Sequence, residues 1–255
     1  MSWQWLVAAV TSIIGTSRSV PQFFSVTQSP QPQQIQALFD RIAPVYDQFN
    51  DQLSYGLHRV WKQMTVDWSG ARPGAVCLDL CCGSGDLARL LARKAGEAGQ
   101  VFGVDFSAEL LAIAQQFPTP HPITWIEANA LELPFADNTF DAITMGYGLR
   151  NIPNILASLA EMQRVLKPGS KAAILDFHRP ASAVMKTFQQ WYLDFRVVPL
   201  AEQYGLQQEY AYIMPSIERF PTGRAQVKLA QQAGFTDAVH YAIAGGMMGV
   251  LVASK

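Results

Sequence analysis

Val76-Cys77-Leu78-Asp79-Leu80-Cys81-Cys82-Gly83-Ser84-Gly85-Asp86 leads from an apolar run through a glycine turn into a helical pattern carried by Leu87, Leu90 and Leu91. The run reads as a buried strand. Glycines suit such a step because a Cβ would block the tight turn and the approach of a ligand to the helix N-terminus. A purely structural turn is the competing reading of Gly83 and Gly85. Downstream, Val101-Phe102-Gly103-Val104 is a second strand ending on Asp105, followed by a helix through Leu110, Leu111, Ile113 and Ala114, which completes a βαβ unit. Ile123 to Ile126, Ala142 to Met145 and Lys171 to Phe177 read as further strands, and Ile155 to Leu166 as an amphipathic helix. Strands that alternate with helices predict an α/β fold with a parallel sheet covered on both faces. The chain closes with Ala238 to Ile243, a Gly245-Gly246 turn and Val250 to Ala253, a hairpin pattern that makes the last strand antiparallel. Phe117, Trp125 and Phe140 are assigned to the core.

Upstream, Ile35, Leu38, Phe39 and Ile42 recur at helical spacing, and Pro44 can start a second helical stretch with Val45, Tyr46 and Phe49. The folded domain is therefore expected over residues 35–255, with an N-terminal helical cap over 35–70. Residues 1–34 are an apolar segment followed by the Gln/Pro linker Gln28-Ser29-Pro30-Gln31-Pro32-Gln33-Gln34. The run Trp3 to Ile14 is too short to cross a bilayer and has no Lys or Arg before it, as a secretory signal would. An interfacial anchor, a transit sequence and a loose tail all fit it.

Lys and Arg total 19 against 20 for Asp and Glu, so no positive field favours nucleic acid, and a charged fraction of 15% beside 49% apolar residues points to small or apolar partners. The three cysteines Cys77, Cys81 and Cys82 are too clustered for a disulfide framework and lack a second ligand group for zinc, so no metal is expected.

Two cofactors fit the glycine turn. Gly83-Ser84-Gly85-Asp86-Leu87-Ala88 has the form of a dinucleotide fingerprint, and Asp105 stands about 20 residues on, where a ribose-binding acid belongs, which suits an NAD-dependent oxidoreductase. The adenosine of S-adenosylmethionine offers the same ribose. Asp79 favours the latter, because a carboxylate inside the strand before the glycines attracts a cationic amino-acid group and repels a pyrophosphate. The antiparallel last strand also differs from the usual all-parallel dinucleotide sheet. Asp105 has an alternative as a helix N-terminal carboxylate before Phe106-Ser107.

Tyr46-Asp47-Gln48-Phe49-Asn50-Asp51-Gln52-Leu53-Ser54-Tyr55-Gly56-Leu57-His58-Arg59-Val60-Trp61 resembles the N-terminal signature of the quinone-biosynthesis C-methyltransferases, with Phe49 where methionine is usual. Arg164-Val165-Leu166-Lys167-Pro168-Gly169-Ser170 is similar to their later signature, with Ser170 in place of glycine and Asp176-Phe177-His178 in place of a usual Glu-Phe-Ser. Cys81-Cys82-Gly83-Ser84-Gly85-Asp86 and Met145-Gly146-Tyr147-Gly148-Leu149-Arg150-Asn151 look like the plant and cyanobacterial branch, which makes phylloquinone. The resemblance runs from about Leu38 to the C-terminus. It implies a class I S-adenosylmethionine methyltransferase fold, with a Rossmann-like, seven-stranded, mostly parallel sheet, an antiparallel last strand and helices on both faces. It further implies that Ser84, Asp105, Asn129, Ala130 and Gly146 line the S-adenosylmethionine pocket, with Gly83 and Gly85 shaping it. Asn129 otherwise reads as a turn residue before Leu131.

The implied reaction is C-methylation of a prenylated 1,4-naphthoquinol, a demethylphylloquinol or demethylmenaquinol, with a benzoquinol precursor of ubiquinone as the rival acceptor. It needs an electron-rich ring, so the site must favour a phenolate. Arg150 is a candidate for stabilising that charge, His58 for the general base, and Tyr147 for orienting the hydroxyl. A capping or salt-bridged arginine, a core histidine and a core aromatic are their respective alternatives. The aromatic stretch 184–215, with Phe188, Trp191, Tyr192, Phe195, Tyr204, Tyr210 and Tyr212, is a candidate lid over the prenyl tail. A lipid substrate also implies peripheral contact with a membrane, a thylakoid in this branch, from the cytoplasmic or plastid stromal side, and a homodimer is compatible with it.

Overall fold

The computed structural model describes residues 51–255, so the segment 1–34 and the cap residues before 51 lie outside the described residues. The described cap contributes α1 (Leu57–Trp68). Then follow β1 (Val76–Leu80), α2 (Asp86–Ala95), β2 (Gln100–Asp105), α3 (Ala108–Gln116), β3 (Ile123–Glu127), β4 (Phe140–Gly146), α4 (Ile155–Val165) and β5 (Leu166–Phe177). The strands form one seven-stranded sheet in the order β3-β2-β1-β4-β5-β7-β6, completed by β6 (Asp237–Ile243) and β7 (Met248–Ser254). β7 runs antiparallel to both β5 and β6, as the hairpin pattern predicts, and the other pairings are parallel. The order reverses between β1 and β4, which opens a crevice at the carboxyl ends of these strands, where α/β sheets bind ligands.

One face of the sheet packs Leu78, Leu80, Phe140, Ile143 and Met145 against Leu159 and Met162 of α4, all fully buried. The opposite face packs Cys77, Val101 and Ala142 against Leu87, Ala88 and Leu91 of α2. Trp125 lies across bare backbone: a Cβ on Gly103 would stand 2.4 Å from its Cε3, and one on Gly85 2.5 Å from its Cη2. Phe140 is core as expected, but Phe117 is not. It follows the last turn of α3, where the backbone turns extended, and its 44% exposed ring lies under the Arg89 guanidinium, 5.0 Å from the ring centroid.

The aromatic stretch folds into α5 (Ala183–Tyr192), a π-helical turn (Leu193–Val197), α6 (Val198–Glu202), α7 (Gln207–Ala211) and α8 (Ile213–Arg219), with α9 (Gly223–Gln232) returning to the sheet. Pro199, in the first turn of α6, has no N–H to bond back to Phe195, which explains the break in helical regularity there. These helices enclose a separate small core of Leu193, Val197, Ala201, Leu206, Tyr210, Tyr212, Ile213 and Ile217. Two histidines without a sequence-based role have a structural one. The His178 ring bridges the Gly246 carbonyl (2.9 Å) and the Gly223 N–H (3.3 Å), tying the β6–β7 turn to the start of α9. The His240 ring lies against it, tilted, with the centroids 4.6 Å apart, and burial, with His178 adding to it, pushes His240 down to about 4.

Candidate active site

At the carboxyl ends of β1, β2 and β4 lies a cavity of about 300 Å³. Every candidate cofactor residue except Gly85 lines it: Asp79, Gly83, Ser84, Asp105, Asn129, Ala130 and Gly146. Gly85 sits behind, at φ 88°, where its missing Cβ lets Trp125 close in. Gly83 faces open space but adopts φ 53°, so conformation rather than crowding calls for glycine there. At Gly146, the end of β4, a Cβ would meet Leu87 Cδ1 at 2.8 Å.

The three acids of this wall differ in their surroundings. Asp79 Oδ1 accepts a 2.8 Å bond from Thr144 Oγ1, while Oδ2 is buried with no hydrogen-bond partner. Burial pushes this carboxyl up to about 7. Asp105, the last residue of β2, accepts from Gly83 N–H at 2.8 Å and from Ser107 N–H at 3.0 Å, so it fixes the glycine turn to the start of α3. Ser107, not Asp105, caps that helix, accepting from Leu110 N–H at 3.1 Å. Asp86 pairs with Lys62 and Arg89. Asn129 makes the turn foreseen for it, its Oδ1 accepting from Leu131 N–H at 3.0 Å, and still lines the cavity.

A second cavity, of about 370 Å³, adjoins the first and shares Tyr147 and Asn151 with it. Its walls are mostly apolar, drawn from α1, α5 and the segments around α7 and α8, and they carry His58 and Arg150. Of the aromatic stretch, Phe188, Tyr192, Tyr210 and Tyr212 line this cavity, whereas Trp191, Phe195 and Tyr204 do not. Tyr147 holds φ 60°, a costly backbone for a tyrosine, with its N–H on the Leu175 carbonyl (2.7 Å) and its ring 5.7 Å from that of Phe177. It is both the buried aromatic and the partition between the cavities.

Arg150 is indeed salt-bridged: Nη1 donates to Asp176 Oδ1 (2.9 Å) and to the Tyr147 carbonyl (2.6 Å), and its backbone N–H reaches Asp176 Oδ2 (3.0 Å). Its Nε is buried with no partner. Burial raises the Asp176 carboxyl above the usual carboxylate value, and Arg150 opposes that shift. His58 is 4% exposed, with Nδ1 at 2.7 Å from Ser54 Oγ and Nε2 at 3.7 Å from an Asp51 oxygen. Burial first, then the Lys62 ammonium, lowers its pKa, so the ring is neutral near pH 7 and able to take a proton. Sequence reading missed Lys62, buried on the first cavity's wall; its one signal was its position four residues after His58 on the same helix.

The sequence model of the ubiE/COQ5 methyltransferase family matches residues 27–255. The chain belongs to that family. Among curated relatives, the 2-phytyl-1,4-naphtoquinone methyltransferase of Trichormus variabilis is 64% identical over 87% of this chain and 99% of its own. The Synechocystis protein of the same name is 55% identical over 91% and 99%, and the chloroplastic Arabidopsis thaliana relative 52% identical over 86% of each chain. Among solved structures, a putative methyltransferase from Haloferax volcanii in complex with its Trm112 activator superposes with a TM-score of 0.61 at 15% identity, covering 85% of this chain and 96% of that one. A Thermotoga maritima S-adenosylmethionine-dependent methyltransferase gives 0.61 at 17%, covering 87% and 99%; both speak for the fold.

The protein is thus an S-adenosylmethionine-dependent methyltransferase, and the nicotinamide reading of the glycine turn falls. Its first cavity fits that cofactor on its own terms. The buried Asp79 Oδ2 has no hydrogen-bond partner, which the methionine ammonium would provide, and Asp105, at the end of β2, would accept from ribose hydroxyls. When bound, the cofactor supplies an electrophilic methyl on a sulfonium. Asp105→Ala is expected to weaken adenosylhomocysteine binding by about 1.5–3 kcal/mol, the range for bonds to a charged acceptor. Calorimetry checks this, and an unchanged affinity would remove Asp105 from the site.

Proposed function

We propose that this methyltransferase C-methylates a prenylated 1,4-naphthoquinol of the phylloquinone or menaquinone type. The observation that carries the reading is the second cavity, apolar, with a basic residue and a histidine on its wall, sharing Tyr147 and Asn151 with the cofactor cavity. The names of the cyanobacterial and plant relatives support the naphthoquinone ring.

In this reading the quinol ring lies against Tyr147. Neutral His58 takes the proton of one hydroxyl, with Ser54 holding the ring through Nδ1. Arg150, oriented by Asp176, stabilises the phenolate with its guanidinium, whose Nε has no hydrogen-bond partner of its own. The adjacent ring carbon becomes nucleophilic; with the cofactor bound, it would take the methyl as the methyl–sulfur bond breaks and the electron pair stays on sulfur, leaving a neutral thioether. The carbon would then lose its own hydrogen as a proton, restoring the aromatic ring. Only the quinol is expected to react, because the oxidised ring is electrophilic and has no hydroxyl to ionise. Mass spectrometry of prenyl-naphthoquinone with labelled S-adenosylmethionine, with and without reductant, tests this. Equal turnover under both conditions, or turnover only of a prenyl-benzoquinol, would refute it.

The tail of such a substrate resides in lipid, and we place the mouth of the second cavity against a bilayer. Around cavity residues Phe188, Leu57 and Tyr55 (75% exposed) the chain also exposes Val184 (77%), Trp191 (50%) and Phe195 (53%), with the Phe188, Trp191 and Phe195 rings in close succession. Aromatics of this kind suit the headgroup boundary. Among the described residues no helix is long and apolar enough to cross a membrane. The attachment we propose is peripheral, on the cytoplasmic or plastid stromal side. Trp191→Glu is expected to reduce co-sedimentation with liposomes while leaving turnover of a detergent-dispersed, short-tailed quinol largely intact. Undiminished sedimentation would count against this face.

A further inference from the structure

We infer that Lys62 is the residue that recognises the carboxylate of the cofactor's methionine moiety. The inference rests on the cofactor, not on the quinol. Around the first cavity the acids Asp79, Asp86 and Asp105 face inward, and Lys62 is the one Lys or Arg among the described lining residues. A ligand bearing an ammonium, a sulfonium and a carboxylate suits acids at its first two groups, but its carboxylate would be repelled by such a wall unless a cation meets it. Lys62 stands where that cation is needed, near the orphaned Asp79, whose ionisation it favours.

Lys62 is not spent on its visible partner. Its Nζ donates at 2.5 Å to Asp86 Oδ2, while Arg89 Nη2 holds the other oxygen of Asp86 at 2.7 Å. One carboxylate thus serves two cations, and the cluster keeps a surplus positive charge. An ammonium carries three donors, and Asp86 is its sole hydrogen-bond partner among the described residues. The side chain is 6% exposed, so the charge acts where water screens it little. Asp86 also holds the ammonium in place, since an unanchored four-carbon stem would lose more rotamer entropy on binding. The helix that carries Lys62 carries His58 one turn earlier into the other cavity, so α1 reads both ligands.

The test is calorimetric and uses the full chain without any quinol. Adenosylhomocysteine and its decarboxylated analogue, S-adenosyl-3-thiopropylamine, are titrated into the wild type, Lys62→Met and Asp86→Asn. The wild type should favour the carboxylate-bearing ligand by roughly tenfold to hundredfold, and Lys62→Met should bind both ligands about equally. The analogue keeps the ribose and the ammonium, so its retained binding by Lys62→Met shows an intact cavity. Asp86→Asn removes the charge of that ion pair but keeps an amide oxygen that can anchor the ammonium, so it should keep the preference. A wild type that does not distinguish the ligands overturns the inference even if Lys62→Met fails to fold. So does a Lys62→Met protein that loses both ligands in parallel, or an Asp86→Asn protein that loses the preference as Lys62→Met does, because the ion pair would then only pin α1 to α2.

Discussion

Arg150→Met is expected to lower methyl transfer by roughly a hundredfold to a thousandfold and stability by about 3–5 kcal/mol, for two separable reasons. The activity falls because the phenolate loses its cation. The stability falls because Asp176, whose side chain is 4% exposed, is left as a buried charge without its 2.9 Å partner. Adding Asp176→Asn separates the two. Asparagine removes the charge yet can still accept a bond from the backbone N–H of Arg150 or of Phe177, which Asp176 meets at 3.0 and 2.7 Å. The double variant should therefore regain much of the lost stability in urea unfolding and none of the activity. Lower pH should also shrink the deficit of the single variant, since protonation discharges Asp176. Should the double variant recover turnover, Arg150 serves only to neutralise Asp176 and the phenolate needs another partner.

What the sequence made legible follows from range. The β1 turn, the βαβ unit and the closing hairpin are local patterns, and the structure has them where the spacing put them. The glycine turn and Asp105 were readable from the strand–turn–helix pattern, whereas Ser84 and Gly146 rested on the family resemblance; the crossover topology brings all of them to one crevice. Arg150 was readable as a cation, but its partner Asp176 lies on the next strand, 26 residues away, and nothing local announces that pair. Lys62 was hidden for the same reason, reaching Asp86 across 24 residues from a helix outside the βαβ unit. Phe117 misled because an aromatic after an apolar helix resembles core, whereas it stays half-exposed against the Arg89 guanidinium. The aromatic stretch divided by helix geometry: Phe188 and Tyr192, four apart, line the cavity, while Trp191 and Phe195 form the exposed ridge.

Asp79→Asn is expected to weaken cofactor binding on the order of tenfold to hundredfold and to abolish a proton release that accompanies binding in the wild type. Burial pushes the Asp79 carboxyl up to about 7 from an ordinary value of 3.8. Between those values the ligand-free folded protein holds a proton that the unfolded chain has given up. Its contribution to stability is thus full below the unfolded value, declines as pH rises, and is lost by about pH 7. The methionine ammonium reverses this preference, because a cation beside the buried oxygen favours the charged carboxylate. At about pH 6 the cofactor must therefore expel a proton to bind, and its affinity should climb with pH until Asp79 is ionised in the free protein as well. Calorimetry with adenosylhomocysteine in buffers of different ionisation heats measures that proton directly. Asparagine at this position keeps an acceptor for Thr144, which donates to Asp79 at 2.8 Å, so the variant should fold and show neither the proton nor the pH slope. If wild type and variant release the same proton, another group is titrating, and the unpartnered oxygen of Asp79 is not where the ammonium binds.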